Sequence, residues 1–85
     1  MKLKVLFFAS LREQLGTGAM EVEVPAAVSS VGALRAHLRG LGSAYDAALG
    51  EKRALRMAVN REMVPGSEPI KAGDEVAFFP PVTGG

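Results

Sequence analysis

Two adjacent glycines close the sequence, Val82-Thr83-Gly84-Gly85, behind a Pro80-Pro81 pair, and this segment holds the residue types with a distinct chemical use. Proline cannot donate a ladder hydrogen bond and favours an extended path, so Pro80 and Pro81 are expected to end any preceding strand and project the last four residues away from the body. Glycine has no Cβ, so Gly84 and Gly85 fit a channel too narrow for other residues. The Gly85 carboxylate is therefore expected to act as a reagent delivered into the active sites of other proteins. Two terminal glycines arise by chance in roughly one chain in 200, too often to decide the matter alone. Their context decides it, because a frayed end would be polar and detached from the core, whereas this one leaves an apolar strand through a rigid spacer.

A carboxylate at neutral pH is a poor electrophile and needs activation, usually as a mixed anhydride with a nucleotide phosphate. The sequence has no Gly-x-x-x-x-Gly-Lys-Ser/Thr loop. Neither Gly16-Thr17-Gly18 nor Gly40-Leu41-Gly42 continues into a phosphate-binding fingerprint. No bound cofactor is expected, and ATP must be used by an activating partner.

Composition narrows the classes further. Eighty-five residues suit one domain, and 48% hydrophobic against 22% charged residues is enough apolar material to fold. Net charge is +1 and the basic residues are scattered, which disfavours nucleic-acid binding. Cysteine is absent, so disulfides, thiolate metal sites and a catalytic thiol are excluded together. Any sulfur chemistry must use a group other than a side-chain thiol. The apolar runs at Val5 to Ala9 and Val76 to Val82 are far short of the ~20 residues that span a bilayer. Lys2 and Lys4 alternate with Leu3 and Val5 without a signal-peptide pattern. A cytoplasmic protein with no membrane partner is expected.

The elements that must position the tail are legible as periodicities. Lys2 to Ala9 reads as a first strand, with Leu3, Val5 and Phe7 facing the core and Leu6 and Phe8 facing outward. Ser10 with Glu13 reads as a capping box opening a short helix, Leu11 to Leu15, stopped by Gly16-Thr17-Gly18. Met20 to Val24 alternates as a second strand before Pro25. Ser29 or Ser30 caps the main helix, whose apolar residues Val31, Leu34, Leu38 and Leu41 recur at three- and four-residue steps. Ser43 to Leu49 adds a short helical turn. Leu55 to Val59, Glu62 to Val64 and Glu75 to Phe79 read as strands, separated by turn signals at Asn60-Arg61 and Ala72-Gly73-Asp74. The order implies an α+β fold of the ubiquitin-like β-grasp type: one main helix across a mixed sheet, with a short helix inserted between the first two strands. The expected division is a domain over residues 1–81 and a diglycine tail over 82–85.

Three large apolar residues stand out beside the tail. Alternation puts Phe8 and Phe79 on the face opposite Phe7 and Phe78, and with Met63 they are expected to form a partner-binding patch rather than scattered surface hydrophobics. His37, beside core Leu38 and without a second His or any Cys, reads as a boundary residue. Asp74-Glu75 resembles an acid–base pair, but adjacent strand residues point to opposite faces, so they read as turn and edge residues.

The stretch Ala72 to Gly85, with Gly73-Asp74-Glu75-Val76 and Phe79-Pro80-Pro81-Val82-Thr83-Gly84-Gly85, resembles the signature of the small subunits of molybdopterin synthase. So do Lys4-Val5-Leu6-Phe7-Phe8-Ala9 with Arg12-Glu13, and Ala58-Val59-Asn60. The resemblance spans the chain, although residues 26–56 match only in pattern. It implies a ubiquitin-like sulfur carrier of molybdenum cofactor biosynthesis, inactive alone as a catalyst. An E1-like enzyme would adenylate Gly85, and a sulfur donor protein would convert it to a thiocarboxylate. The large synthase subunit, in an assembly of two small and two large subunits, would then use that sulfur on cyclic pyranopterin monophosphate. The resemblance further implies that Phe8, Met63, Phe79, Pro80, Pro81, Val82 and Thr83 contact the partner while Gly84 and Gly85 carry the chemistry. Two alternatives stay open: a ubiquitin-like carrier for tRNA or thiamin thiolation or for protein modification, and a β-grasp binding module with an inert tail.

Overall fold

The computed structural model describes residues 1–81; the expected tail, Val82 to Gly85, lies outside the described residues. The chain runs β1 (Lys2–Phe7), α1 (Ser10–Leu15), β2 (Ala19–Glu23), α2 (Val31–Arg39), α3 (Ser43–Leu49), β3 (Arg56–Val59), β4 (Glu62–Val64) and β5 (Glu75–Phe79). The strands form one sheet in the order β2-β1-β5-β3-β4. β1 and β5 are parallel, and the other neighbours are antiparallel. A β1–β2 pair and a β3–β4 hairpin thus flank the last strand, with the helices on one side, which is the β-grasp arrangement.

Alternation along the strands builds the core. Leu3, Val5 and Phe7 of β1 and Val76 and Phe78 of β5 are fully buried on the helix side. The Phe7 and Phe78 rings stack at 6.2 Å, and Tyr45 of α3 meets Phe7 edge-on at 6.3 Å. α2 contributes Val31, Leu34 and Leu38, all fully buried. Burying each Leu is worth about 1.5–3 kcal/mol. Leu41 does not join them: it is 46% exposed. Helix α2 ends at Arg39 with Gly40 as its C-cap, so the three-residue step that would bring Leu41 inward is broken one turn early.

The helix starts show which side chains and backbones act as caps. At α2 the cap is Ser30, whose Oγ accepts from Ala33 N at 3.1 Å. The two preceding free amides are satisfied by the loop before β5: Val31 N donates to Glu68 O and Gly32 N to Gly66 O at 2.8 Å. The backbones approach so closely there that a Cβ at Gly32 would lie 3.1 Å from Gly66 O. At α1 the expected capping box is absent. The cap position is Ala9, at φ 53°, and no side chain caps the helix; Ser10 is already its first residue. The chain has to reverse right after Phe8 to bury Leu11, and that reversal falls on Ala9 in the left-handed half of φ space.

Helix α3 is anchored from α2. Arg35 Nε donates to Leu49 O at 2.8 Å, and Nη2 donates to Gly50 O at 2.5 Å and to Arg53 O at 2.7 Å. One guanidinium therefore satisfies carbonyls at and beyond the end of α3, where the helix leaves them without partners. Burial, followed by the nearby charge of Arg39, lowers the Arg35 pKa, against an opposing pull from Glu51. No helix among the described residues is long and apolar enough to cross a membrane.

Candidate functional site

Strand β5 ends at Phe79 in the middle of the sheet and the chain goes on into Pro80 and Pro81, so the surface around that end is set by strand register. Leu6 of β1 sits opposite Ala77 of β5, Ala77 opposite Ala58 of β3, and Ala58 opposite Met63 of β4. Because side chains alternate, this row faces away from the helices. Phe79, two residues after Ala77, faces the same way.

Two alanines in the centre of the row leave a depression between large neighbours. Leu6, Phe8, Ala58, Arg61, Met63, Glu75, Ala77 and Phe79 line a hollow of about 420 Å³. Ala58 and Ala77 form its buried floor although they lie on the outer face. Phe8 and Phe79 meet at one wall, ring centroids 5.4 Å apart and tilted by 43°. Phe8 is 44% and Met63 56% exposed, while Phe79 is half-buried. The sheet face thus brings together the three apolar residues singled out from the sequence. It also adds Leu6 to the wall, a residue that alternation had turned outward without a role, and the floor alanines Ala58 and Ala77, which pattern reading missed. Small residues at alternate positions of adjacent strands were the available signal, but it could be used only once the strand order was known.

Two segments hold the hollow in shape. The β3–β4 turn places Asn60 and Arg61 at φ 49° and 73°, the twist a two-residue hairpin requires. Asn60 Nδ2 donates to Asp74 Oδ1 at 3.0 Å, and Asn60 Oδ1 accepts from Glu75 N at 3.0 Å. Asp74 Oδ2 accepts from Lys71 N at 2.9 Å. This ties the hairpin that carries Met63 to the start of the strand that carries Phe79. Asp74 is therefore a buried link and not only a turn residue, and Glu75 begins a central strand instead of an edge. Gly73, at φ 87°, makes the preceding turn.

Pro80 is half-buried and Pro81 exposed, both beyond the end of β5. The candidate residues Val82, Thr83, Gly84 and Gly85 lie outside the described residues. His37 sits half-buried on α2, away from this face. Among the described residues no group of three His, Cys, Asp or Glu could hold a metal ion.

Comparison with known proteins places this geometry in a family. The ThiS family model matches residues 5–85. Molybdopterin synthase sulfur carrier subunits of Escherichia coli and Haemophilus influenzae are 48% and 46% identical to the chain, each over 98% of it and 99% of the relative. Among solved structures, SAMP1 of Haloferax volcanii superposes with a TM-score of 0.81 at 30% identity, covering all of both chains. This chain therefore belongs to the ThiS family, and its sequence sets it alongside the molybdopterin synthase sulfur carrier subunits.

Proposed function

We propose that the protein is the sulfur carrier subunit of a molybdopterin synthase, with Gly85 as the group that carries sulfur and the sheet hollow as the surface that docks on the large subunit. The observation that carries the reading is the apolar face of Phe8, Met63 and Phe79 at the base of the tail, in a chain nearly half identical to sulfur carrier subunits along its whole length. A carrier needs these two parts together: a body that binds and an end that reacts.

The chemistry is that of the carboxylate. An E1-like partner supplies ATP, a Gly85 oxygen attacks its α-phosphorus, and pyrophosphate leaves. Hydrosulfide, delivered by a donor protein, then adds at the acyl carbon and expels AMP, leaving the thiocarboxylate and releasing a proton. Within the large subunit that sulfur attacks a side-chain carbon of cyclic pyranopterin monophosphate and expels the oxygen bonded there; water then cleaves the acyl–sulfur bond, leaving the sulfur on the pterin and restoring the Gly85 carboxylate. Each product takes two sulfurs and so consumes two charged carriers. A chain without cysteine presents no internal thiol to intercept the activated acyl group.

Calorimetric titration against the large synthase subunit tests the reading. The wild-type chain is expected to bind, and Phe79→Arg to bind about 2 kcal/mol more weakly, roughly 30-fold, as for a buried interface anchor. The fold should survive, because Phe79 is on the outer face while its neighbour Phe78 fills the core. No binding by the wild type would overturn the assignment to the synthase. Equal binding by the variant would remove Phe79 from the interface.

A further inference from the structure

Charge is distributed unevenly over the outer face of the sheet. Towards β2 each cation has an anion beside it: the Met1 amine lies 3.4 Å from Glu23, Lys2 3.8 Å from Glu21, and Lys4 3.9 Å from Glu75. Around the apolar end the balance shifts to positive, because Glu75, the carboxylate in the lining of the hollow, already lies beside Lys4. Arg56 and Arg61 are exposed and make no ion pair among the described residues. Glu62 cannot neutralise Arg61 on this side, since it pairs with Val59 and alternation turns it to the face opposite Met63.

The two arginines bracket the docking residues. Arg56 sits opposite Phe79 in the β3–β5 register, and Arg61 lines the hollow beside Met63. Beyond Met63 a second hollow of about 480 Å³ opens along β4, with Arg56, Leu55, Val64 and Pro65 in its lining. Met63 therefore stands as a ridge between two depressions, each with one guanidinium at its rim.

We propose that Arg56 and Arg61 form a basic rim that selects an acidic partner surface: the large synthase subunit seats apolar side chains on either side of Met63 and carries carboxylates around them. This rests on the docking face described above. A planar guanidinium suits carboxylate recognition. Rim charges of this kind speed encounter and suppress wrong partners more than they slow dissociation. The same pattern disfavours a second copy of this chain as the occupant, because a face that meets itself across a two-fold axis brings basic rim against basic rim.

Stopped-flow association of the full-length chain with the large subunit, between low and high ionic strength, tests the rim. The wild-type on-rate should fall with salt, and the double variant Arg56→Glu/Arg61→Glu should associate about tenfold more slowly at low salt, with its salt dependence flattened or reversed. Arg56→Lys/Arg61→Lys should retain the wild-type salt dependence, and circular dichroism should show all variants folded. Phe79→Ala and Met63→Ala should instead raise the off-rate and leave the salt dependence intact. If these apolar variants weaken binding while the charge-reversed chain keeps wild-type on-rates at every salt concentration, the basic rim is overturned and the docking face stands. If the apolar variants also bind as wild type, the docking face itself fails. A concentration-dependent dimer of the isolated chain that Phe79→Ala dissolves would overturn the proposal in favour of a second copy.

Discussion

A chain lacking Gly84 and Gly85 is expected to form no acyl adenylate with its activating enzyme and ATP, although it folds and docks as the full chain does. The sheet, the core and the hollow are all built from residues before Pro80, so their stability does not depend on the last two residues. Reaction at the acyl carbon does. A truncated chain would end at Thr83, two residues short, and two residues of extended chain span about 7 Å. A displacement of only ~1 Å can cost about 100-fold in rate, so a deficit of this size should abolish adenylation. Pyrophosphate release measured with equal concentrations of the two chains checks this. A truncated chain activated at the full-length rate would show that the reacting group is not the diglycine carboxylate.

The second large effect separates threading from mere presentation of a carboxylate. Gly84→Val keeps the chain length and the Gly85 carboxyl but adds a branched side chain one residue from the reacting carbon. If the receiving channel is as narrow as two glycines imply, that side chain clashes or holds the carbonyl out of line. Complex formation should be close to normal, since Phe8, Met63 and Phe79 are untouched. Sulfur transfer should fall at least about 100-fold by analogy with such misplacement. A single-turnover assay with chemically prepared thiocarboxylate isolates the transfer step from activation. Wild-type transfer by the variant would leave the second glycine without a steric role.

Much of the scaffold is legible in the residues because periodicity reports burial directly. Leu3, Val5 and Phe7 against Lys2, Lys4 and Leu6 fix the two faces of β1, and the same alternation places Phe78 inside and Phe79 outside. Interactions between segments distant in sequence were not legible. Nothing in Asp74 alone says that its carboxylate holds Asn60 across the sheet, nor does Arg35 announce that it caps a helix it does not belong to. Ser10 and Glu13 have the spacing of a capping box, yet the need to bury Leu11 moves the helix start to Ala9. Leu41 has the spacing of a core residue, yet the helix ends before it. For the candidate site, the aromatic residues could be read from alternation. The alanine floor and the rim arginines emerge only once the order β2-β1-β5-β3-β4 sets β3 and β4 beside β5.

That Gly85 carries the sulfur can be read from the mass of the intact protein isolated from its host. Replacing one carboxylate oxygen by sulfur adds about 16 Da, a covalent change that fragmentation can localise. Oxidation of a methionine adds nearly the same mass, and Met63 is exposed, so the position of the added mass is decisive. If Gly85 is the carrier, a fraction of molecules has the increment confined to the C-terminal fragment containing Gly85, and loses it on incubation with the large subunit and its pterin substrate. An increment found only on methionine-containing fragments, or an unmodified C-terminus in cells actively making the cofactor, would contradict it.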